Sequence, residues 1–151
     1  MTRSISSLDE FEALVGADLG YSDFHEVDQA TIDLFADATG DHQWIHVDPV
    51  KSAQGPYGAT IAHGYLTLAL IPAWIGEVFV VENLTFGVNY GCNKVRFPAP
   101  VTVGSRLRLG VTVASVEDLG ESVQVVLDAT LEAEAATKPA CVAQVVYRYY
   151  R

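Results

Sequence analysis

A chain of 151 residues is the size of one domain and long enough to bury roughly two-thirds of the surface it exposes when unfolded. With 50% apolar and 19% charged residues it is not a disordered chain, and the apolar surplus points to a homo-oligomer that hides some of it between subunits. Lys and Arg number 9 against 19 Asp and Glu, a net charge of −10 that repels nucleic acid and anionic membrane and excludes both as expected partners.

An anionic small molecule needs only a few cations close together. Lys51, Lys94, Arg96, Arg106 and Arg108 are the candidates, although each taken singly reads as solvated surface charge. Cys92 and Cys141 stand far apart without a Cys-x-x-Cys spacing, so neither a disulfide framework nor a zinc ribbon is indicated and a reducing cytoplasm fits. The opening residues hold no apolar run of signal-peptide length, and the longest apolar stretch, 66–81, is interrupted by Thr67, Pro72 and Glu77. Neither export nor a membrane span is expected.

Along the chain, Ser7 and Glu10 have the spacing of a capping box, and Phe11, Leu14 and Val15 give the following turns an apolar side that ends at Gly16. An extended piece is predicted over 22–27. Asp28 is positioned to cap a second helix whose apolar side is Ile32, Phe35 and Ala36, and Gly40 supplies the left-handed stop. From Asp41 to Ala62 no period is sustained, and Pro49, Gly55, Pro56 and Gly58 punctuate an irregular segment with at most a short helix near 48–53. Loops of that length are uncommon inside compact domains and usually functional. His63 to Val80 is apolar on every side, which predicts a helix buried all round and kinked or shortened at Pro72.

The second half changes period. Leu84 to Tyr90 and Asn93 to Phe97 read as one or two strands separated by Gly91. Strict alternation then runs from Arg106 to Val113 and again from Val123 to Ala133, and a last strand spans Cys141 to Tyr150. Turns are predicted at 117–121 and 136–139. Early helices followed by antiparallel strands describe an α+β domain in which a sheet wraps a central helix. No repeat, linker or low-complexity segment divides 1–151, which is read as a single domain. Edge strands of such a sheet can pair across a two-fold axis, giving a dimer.

The chemistry concentrates in two places. Ala38 to Asp48 reads Ala-Thr-Gly-Asp-His-Gln-Trp-Ile-His-Val-Asp and sets Asp41 and His46 just past a helix stop; Thr60-Ile61-Ala62-His63-Gly64 opens the apolar helix. Adding water to an α,β-unsaturated thioester needs a base for the water, a proton donor for the α-carbon and hydrogen-bond donors for the enolate-like oxygen. A carboxylate and an imidazole sharing one water can fill the first two roles. Backbone N–H groups at a helix start can fill the third, and Gly64 admits a ligand close to them. Taken singly, Asp41 reads as a turn residue, His46 as a packed histidine and Gly64 as a packing glycine; only their joint placement points to a site.

These residues resemble a known family. Thr39-Gly40-Asp41 with His46, followed by Ala62-His63-Gly64, is similar to the signature of the MaoC-like, (R)-specific enoyl-CoA hydratases of hot-dog fold. The stretches 35–46 and 93–101 resemble its mycobacterial and nodulation-protein-N-like branch. The resemblance implies a curled antiparallel sheet around a buried helix and Asp41 and His46 as a water-activating dyad. It also implies the Gly64 backbone N–H, beside His63, as thioester-oxygen donor. It implies a homodimer, a coenzyme A or acyl carrier protein thioester as substrate, no cofactor beyond it and no metal. Lys94 and Arg96 become candidate contacts for the coenzyme A phosphates.

Two departures from the family pattern stand out. Gln43-Trp44 replaces the usual Asn-Pro between the acid and the histidine, so these two residues are expected to shape the substrate pocket, and Pro72 stands near a position often held by serine. His42 and His46 are four apart but lack the Glu and third ligand of a zinc helix. No nucleophile elbow, dinucleotide fingerprint or Walker loop occurs. Two other readings stay open: a hot-dog thioesterase using the same helix start, and a non-catalytic acyl-thioester-binding partner.

Overall fold

Turns and caps organise the first forty residues of the computed structural model, which describes residues 1–151. Strand β1 (Arg3–Ile5) leads into a one-turn helix, α1 (Glu10–Ala13). The capping box is displaced from its expected place. Asp9 holds the N-cap without a side-chain bond, and the Glu10 carboxylate accepts from the Ser6 amide and hydroxyl, both at 2.8 Å, rather than from Ser7. In place of the single extended piece at 22–27, two short strands form, β2 (Asp18–Tyr21) and β3 (His25–Glu26). The break falls at buried Ser22, whose hydroxyl accepts from the Leu109 N–H and donates to the Asp23 carbonyl.

Helix α2 (Gln29–Thr39) has the predicted ends. The Asp28 side chain accepts from the Thr31 N–H, and Gly40, at φ 80°, closes the last turn. Two further short helices follow, α3 (Trp44–Val47) and α4 (Pro49–Ala53). The second was expected; the first was not, because one turn carries no period. The apolar segment forms α5 (Gly64–Ala69) and α6 (Ile71–Val78), divided where Pro72 cannot donate to the ladder. It is not buried all round. Leu66, Ile71, Trp74 and Val78 face the core, while Tyr65, Ala69, Pro72, Ala73 and Gly76 are exposed in the single chain.

Strand β4 (Phe79–Val81) pairs in parallel with β1, a contact between the two ends of the helical half. The two strands expected on either side of Gly91 are one, β5 (Phe86–Arg96), because register shifts at Asn89/Gly91 and Cys92/Lys94 absorb the irregularity without ending the ladder. Then come β6 (Arg106–Asp118), β7 (Ser122–Ala133) and β8 (Cys141–Tyr150). The sheet order is β2-β6-β7-β8-β5, with β3 also on β6, and every pair is antiparallel. Alternate residues such as Leu107, Leu109, Val125 and Leu127 pack inward with the helices into one core running from Ile5 to Tyr149. The sheet curls over α5 and α6, the hot-dog arrangement of the α+β class.

Candidate active site

Polar bonds between side chains and backbone hold the segment after Gly40. The Thr39 hydroxyl donates to the Phe35 carbonyl at 2.8 Å and receives the Asp41 N–H at 3.4 Å. The Asp41 carboxylate is exposed and receives only the Gln43 N–H, also at 3.4 Å, a turn that starts α3. That turn carries His46, which is only 6% exposed. Its Nδ1 lies 2.7 Å from the Ile61 carbonyl. A carbonyl only accepts, so Nδ1 carries the proton and the Nε2 lone pair is left for chemistry. The Ile61 N–H returns a bond to the Ile45 carbonyl at 3.0 Å, which joins the two parts of the motif in both directions.

Gln29, at the first turn of α2, completes this support. Its Nε2 donates to the His46 carbonyl at 2.8 Å, and its Oε1 accepts from the buried Thr60 hydroxyl at 2.5 Å. Gln29 belongs to no recognisable spacing, and Thr60, although it opens the second motif, carries no sequence sign of this contact.

His63 is 3% exposed and caps the start of α5. Its Nε2 donates to the Asp41 backbone carbonyl at 2.9 Å, its ring stacks on His46 at 3.8 Å with a 24° tilt, and its Nδ1 is buried without a partner. Its side chain therefore touches both Asp41 and His46. Ligand atoms of Asp41, His46 and His63 all lie within 4.8 Å of one another. One water making two hydrogen bonds of about 2.8 Å spans such a gap well.

Gly64 begins α5, where the first N–H groups have no partner inside the helix. A Cβ on Gly64 would meet the Phe97 ring at 2.9 Å, so glycine is what lets this aromatic ring lie on the backbone. Both residues line a cavity of about 370 Å³ with Tyr57, Thr67 and Val101. Gln43 and Trp44 do not line the Gly64 cavity; Trp44 packs on Gly55, with the Lys51 ammonium 4.7 Å from its ring centre. Arg106 and Arg108 are engaged with Glu134 and Glu132 at 3.0 and 2.9 Å. Lys94 and Arg96, on β5 just before Phe97, make no ion pair. His42 turns away to Asp37 at 2.9 Å, and that hydrogen bond raises its pKa.

Residues 10–135 match the MaoC like domain. The chain is 50% identical over 148 residues to 3-hydroxyacyl-thioester dehydratase Z of Mycobacterium tuberculosis, covering 97% of this chain and 98% of that protein. The chain belongs to the MaoC-like family. Within that family it is also similar to Nodulation protein N of Rhizobium leguminosarum bv. viciae, at 44% identity over 140 residues and coverage of 91% and 87%. Among solved structures, the monoamine oxidase regulatory protein from Archaeoglobus fulgius superposes with a TM-score of 0.81 at 20% identity, over 100% of this chain and 98% of that one. At that identity the likeness speaks for the hot-dog fold.

Proposed function

We propose that this MaoC-like chain is a hydro-lyase that adds water reversibly to a trans-2-enoyl-CoA to give the (R)-3-hydroxyacyl-CoA. Family membership and half-identity to a protein named as a 3-hydroxyacyl-thioester dehydratase support the reaction type. The observation that carries the reading is the buried His46, its Nδ1–H committed to the Ile61 carbonyl and its imidazole and the Asp41 carboxylate offering ligand atoms within 4.8 Å of each other.

A water held by these two groups is aligned by the carboxylate and the imidazole together. As its oxygen bonds to the β-carbon, the dyad takes one of its protons and a proton is delivered to the α-carbon, so that H and OH add across the double bond. Charge that builds on the thioester oxygen is met by the Gly64 N–H at the start of α5. The scheme consists of C–O bond formation with two proton transfers, and no cofactor or metal enters it. Lys94 and Arg96, which make no ion pair and precede Phe97 of the Gly64 cavity by a few residues in the chain, suit the phosphates of coenzyme A. An acyl carrier protein is the other carrier the same thioester chemistry serves.

The proposed unit is a homodimer. Strand β5 has a free edge carrying exposed Phe86, Val88 and Tyr90, and the helices leave Tyr65 74% exposed beside Ala69 and Pro72. Edge pairing by a second copy would cover both. No helix is long and apolar enough to cross a membrane. We assign the protein to the cytoplasm, where Cys92 and Cys141 remain thiols.

The test follows loss of the conjugated enoyl-thioester absorbance across chain lengths, with chiral analysis of the product. Asp41→Asn and His46→Gln should each lower kcat by about a hundredfold or more while the chain remains folded. Release of free thiol from saturated acyl-CoA would favour a thioesterase. Tight enoyl-CoA binding without turnover would favour a binding partner.

A further inference from the structure

His46 stands on a helix that cannot hold itself. Helix α3 is a single turn, well below the roughly 12–15 residues at which an isolated helix becomes even marginally stable. Its carbonyls find their partners outside the turn, as those at a helix end must. Trp44 accepts from the Asp48 N–H at 3.0 Å and the Ser52 hydroxyl at 3.1 Å, and Ile45 accepts from the Ile61 N–H at 3.0 Å. The His46 carbonyl accepts from the side-chain amide of Gln29, 17 residues earlier in the chain, at 2.8 Å.

The contacts of Gln29 leave its amide one orientation. Nε2 also donates to the Asp33 carboxylate at 2.8 Å, and a carbonyl and a carboxylate only accept, so both Nε2 hydrogens are used at His46 and Asp33. Oε1 then faces Thr60, whose hydroxyl, 1% exposed and 2.5 Å away, must be the donor. The flipped amide would set acceptor against acceptor at both His46 and Asp33. The ring of the same histidine reaches the residue after Thr60, with Nδ1 2.7 Å from the Ile61 carbonyl. The imidazole is therefore tied to 60–61 directly, and its backbone is tied to 60–61 through Gln29. Two attachments fix a direction where one leaves the ring free to swing.

Resting on the proposed hydratase reading, we infer that Gln29 is a positioning residue for the reaction: by bridging the His46 carbonyl and the Thr60 hydroxyl, it fixes the direction of the His46 imidazole toward the shared water. Gln29 does not line the Gly64 cavity, so its effect passes through His46 and not through contact with the thioester. A reacting group misplaced by about 1 Å can lose about a hundredfold in rate, and releasing one of two attachments forfeits part of that.

The experiment measures steady-state hydration of a trans-2-enoyl-CoA by the full-length protein, by Gln29→Met, which keeps the side-chain length and removes the amide, and by Thr60→Val, which keeps the shape and removes the hydroxyl. Per folded molecule, Gln29→Met should lower kcat about tenfold with KM within about twofold, a split that a loss of folded protein does not produce. Thr60→Val should lower kcat about threefold, and the double variant should be no slower than Gln29→Met alone, because both substitutions break one bridge. Unchanged kcat in Gln29→Met, a loss carried by KM, or losses that multiply in the double variant would overturn the inference and leave the hydratase reading standing. Should Gln29→Met not fold, Thr60→Val decides: the threefold loss at constant KM supports the inference, and unchanged kcat overturns it. If the wild type hydrates no ester, the hydratase reading falls, and nuclear magnetic resonance of the imidazole nitrogens decides the positioning. The His46 Nδ1–H should then exchange with solvent about tenfold faster or more in Gln29→Met than in the wild type, with His25 unaffected, and equal exchange in the two proteins overturns it.

Discussion

The sheet and the segment between Gly40 and Gly64 are held by different forces. Strands β6, β7 and β8 alternate buried and half-exposed residues, pair over ten or more positions each, and place Leu107, Leu109, Val125, Leu127 and Leu131 fully inside. The segment has two short helices, little regular pairing and no large apolar side chain in the main core. It is fixed by bonds from Gln29, Thr60, His46 and His63 to backbone and to one another. Apolar burial is non-directional and tolerates small shifts, whereas polar bonds to specific carbonyls fix a ring's orientation and its tautomer. The sheet supplies stability and the segment supplies geometry, so damage to each should appear in a different measurement.

The largest expected effect on stability comes from the sheet. Leu127→Ala removes a fully buried side chain from the central strand and should cost about 2–5 kcal/mol. A fall in melting temperature of roughly 5–20 °C should accompany it, with kcat of the remaining folded protein little changed. If kcat collapsed while the melting temperature held, the division between the two regions would be wrong.

An intermediate effect is expected at the junction. Gly64→Ala places a methyl 2.9 Å from the Phe97 ring, which is partly exposed and can move, so stability should change by less than about 1 kcal/mol. The same methyl and the displaced ring obstruct the approach to the first N–H of α5. Steady-state kinetics should show kcat/KM about tenfold lower. An unchanged kcat/KM would remove Gly64 from the proposed thioester site.

The smallest effect is electrostatic. Asp37 hydrogen-bonds His42 and raises its pKa above the ordinary value of about 6.5. A raised folded-state pKa contributes stability that is complete below about pH 6.5 and is lost as pH rises through the folded value. The pair is exposed, so His42→Gln should lower the melting temperature by about a degree at most near pH 6 and by less near pH 8. The opposite order would mean that the imidazole is bound neutral.

Legibility in the sequence divides along the same line. Alternation located β6, β7 and β8, and Asp28 and Gly40 bounded α2, because a repeating environment or a cap leaves a local imprint. The parallel β1–β4 pair joins Arg3 to Phe79 and leaves none. Gly91 looked like a strand break but sits in an irregular ladder that continues. The helix expected to be buried on every side exposes one, since apolar composition alone does not distinguish burial in a core from a surface awaiting a partner. At the site, Asp41, His46 and Gly64 were legible as a motif, and His63 was legible as a member but not as the ring stacked on His46. Gln29 was not legible, because its contacts join residues 17 and 31 positions away.

The most direct test of the central claim is the hydration assay with purified protein, trans-2-enoyl-CoA esters of short, medium and long chain, and chiral analysis of the product. The account predicts loss of the enoyl absorbance, a product of (R) configuration, and a rate lowered about a hundredfold or more in both Asp41→Asn and His46→Gln. Absence of hydration at every chain length, an (S) product, or full activity in either variant would contradict it.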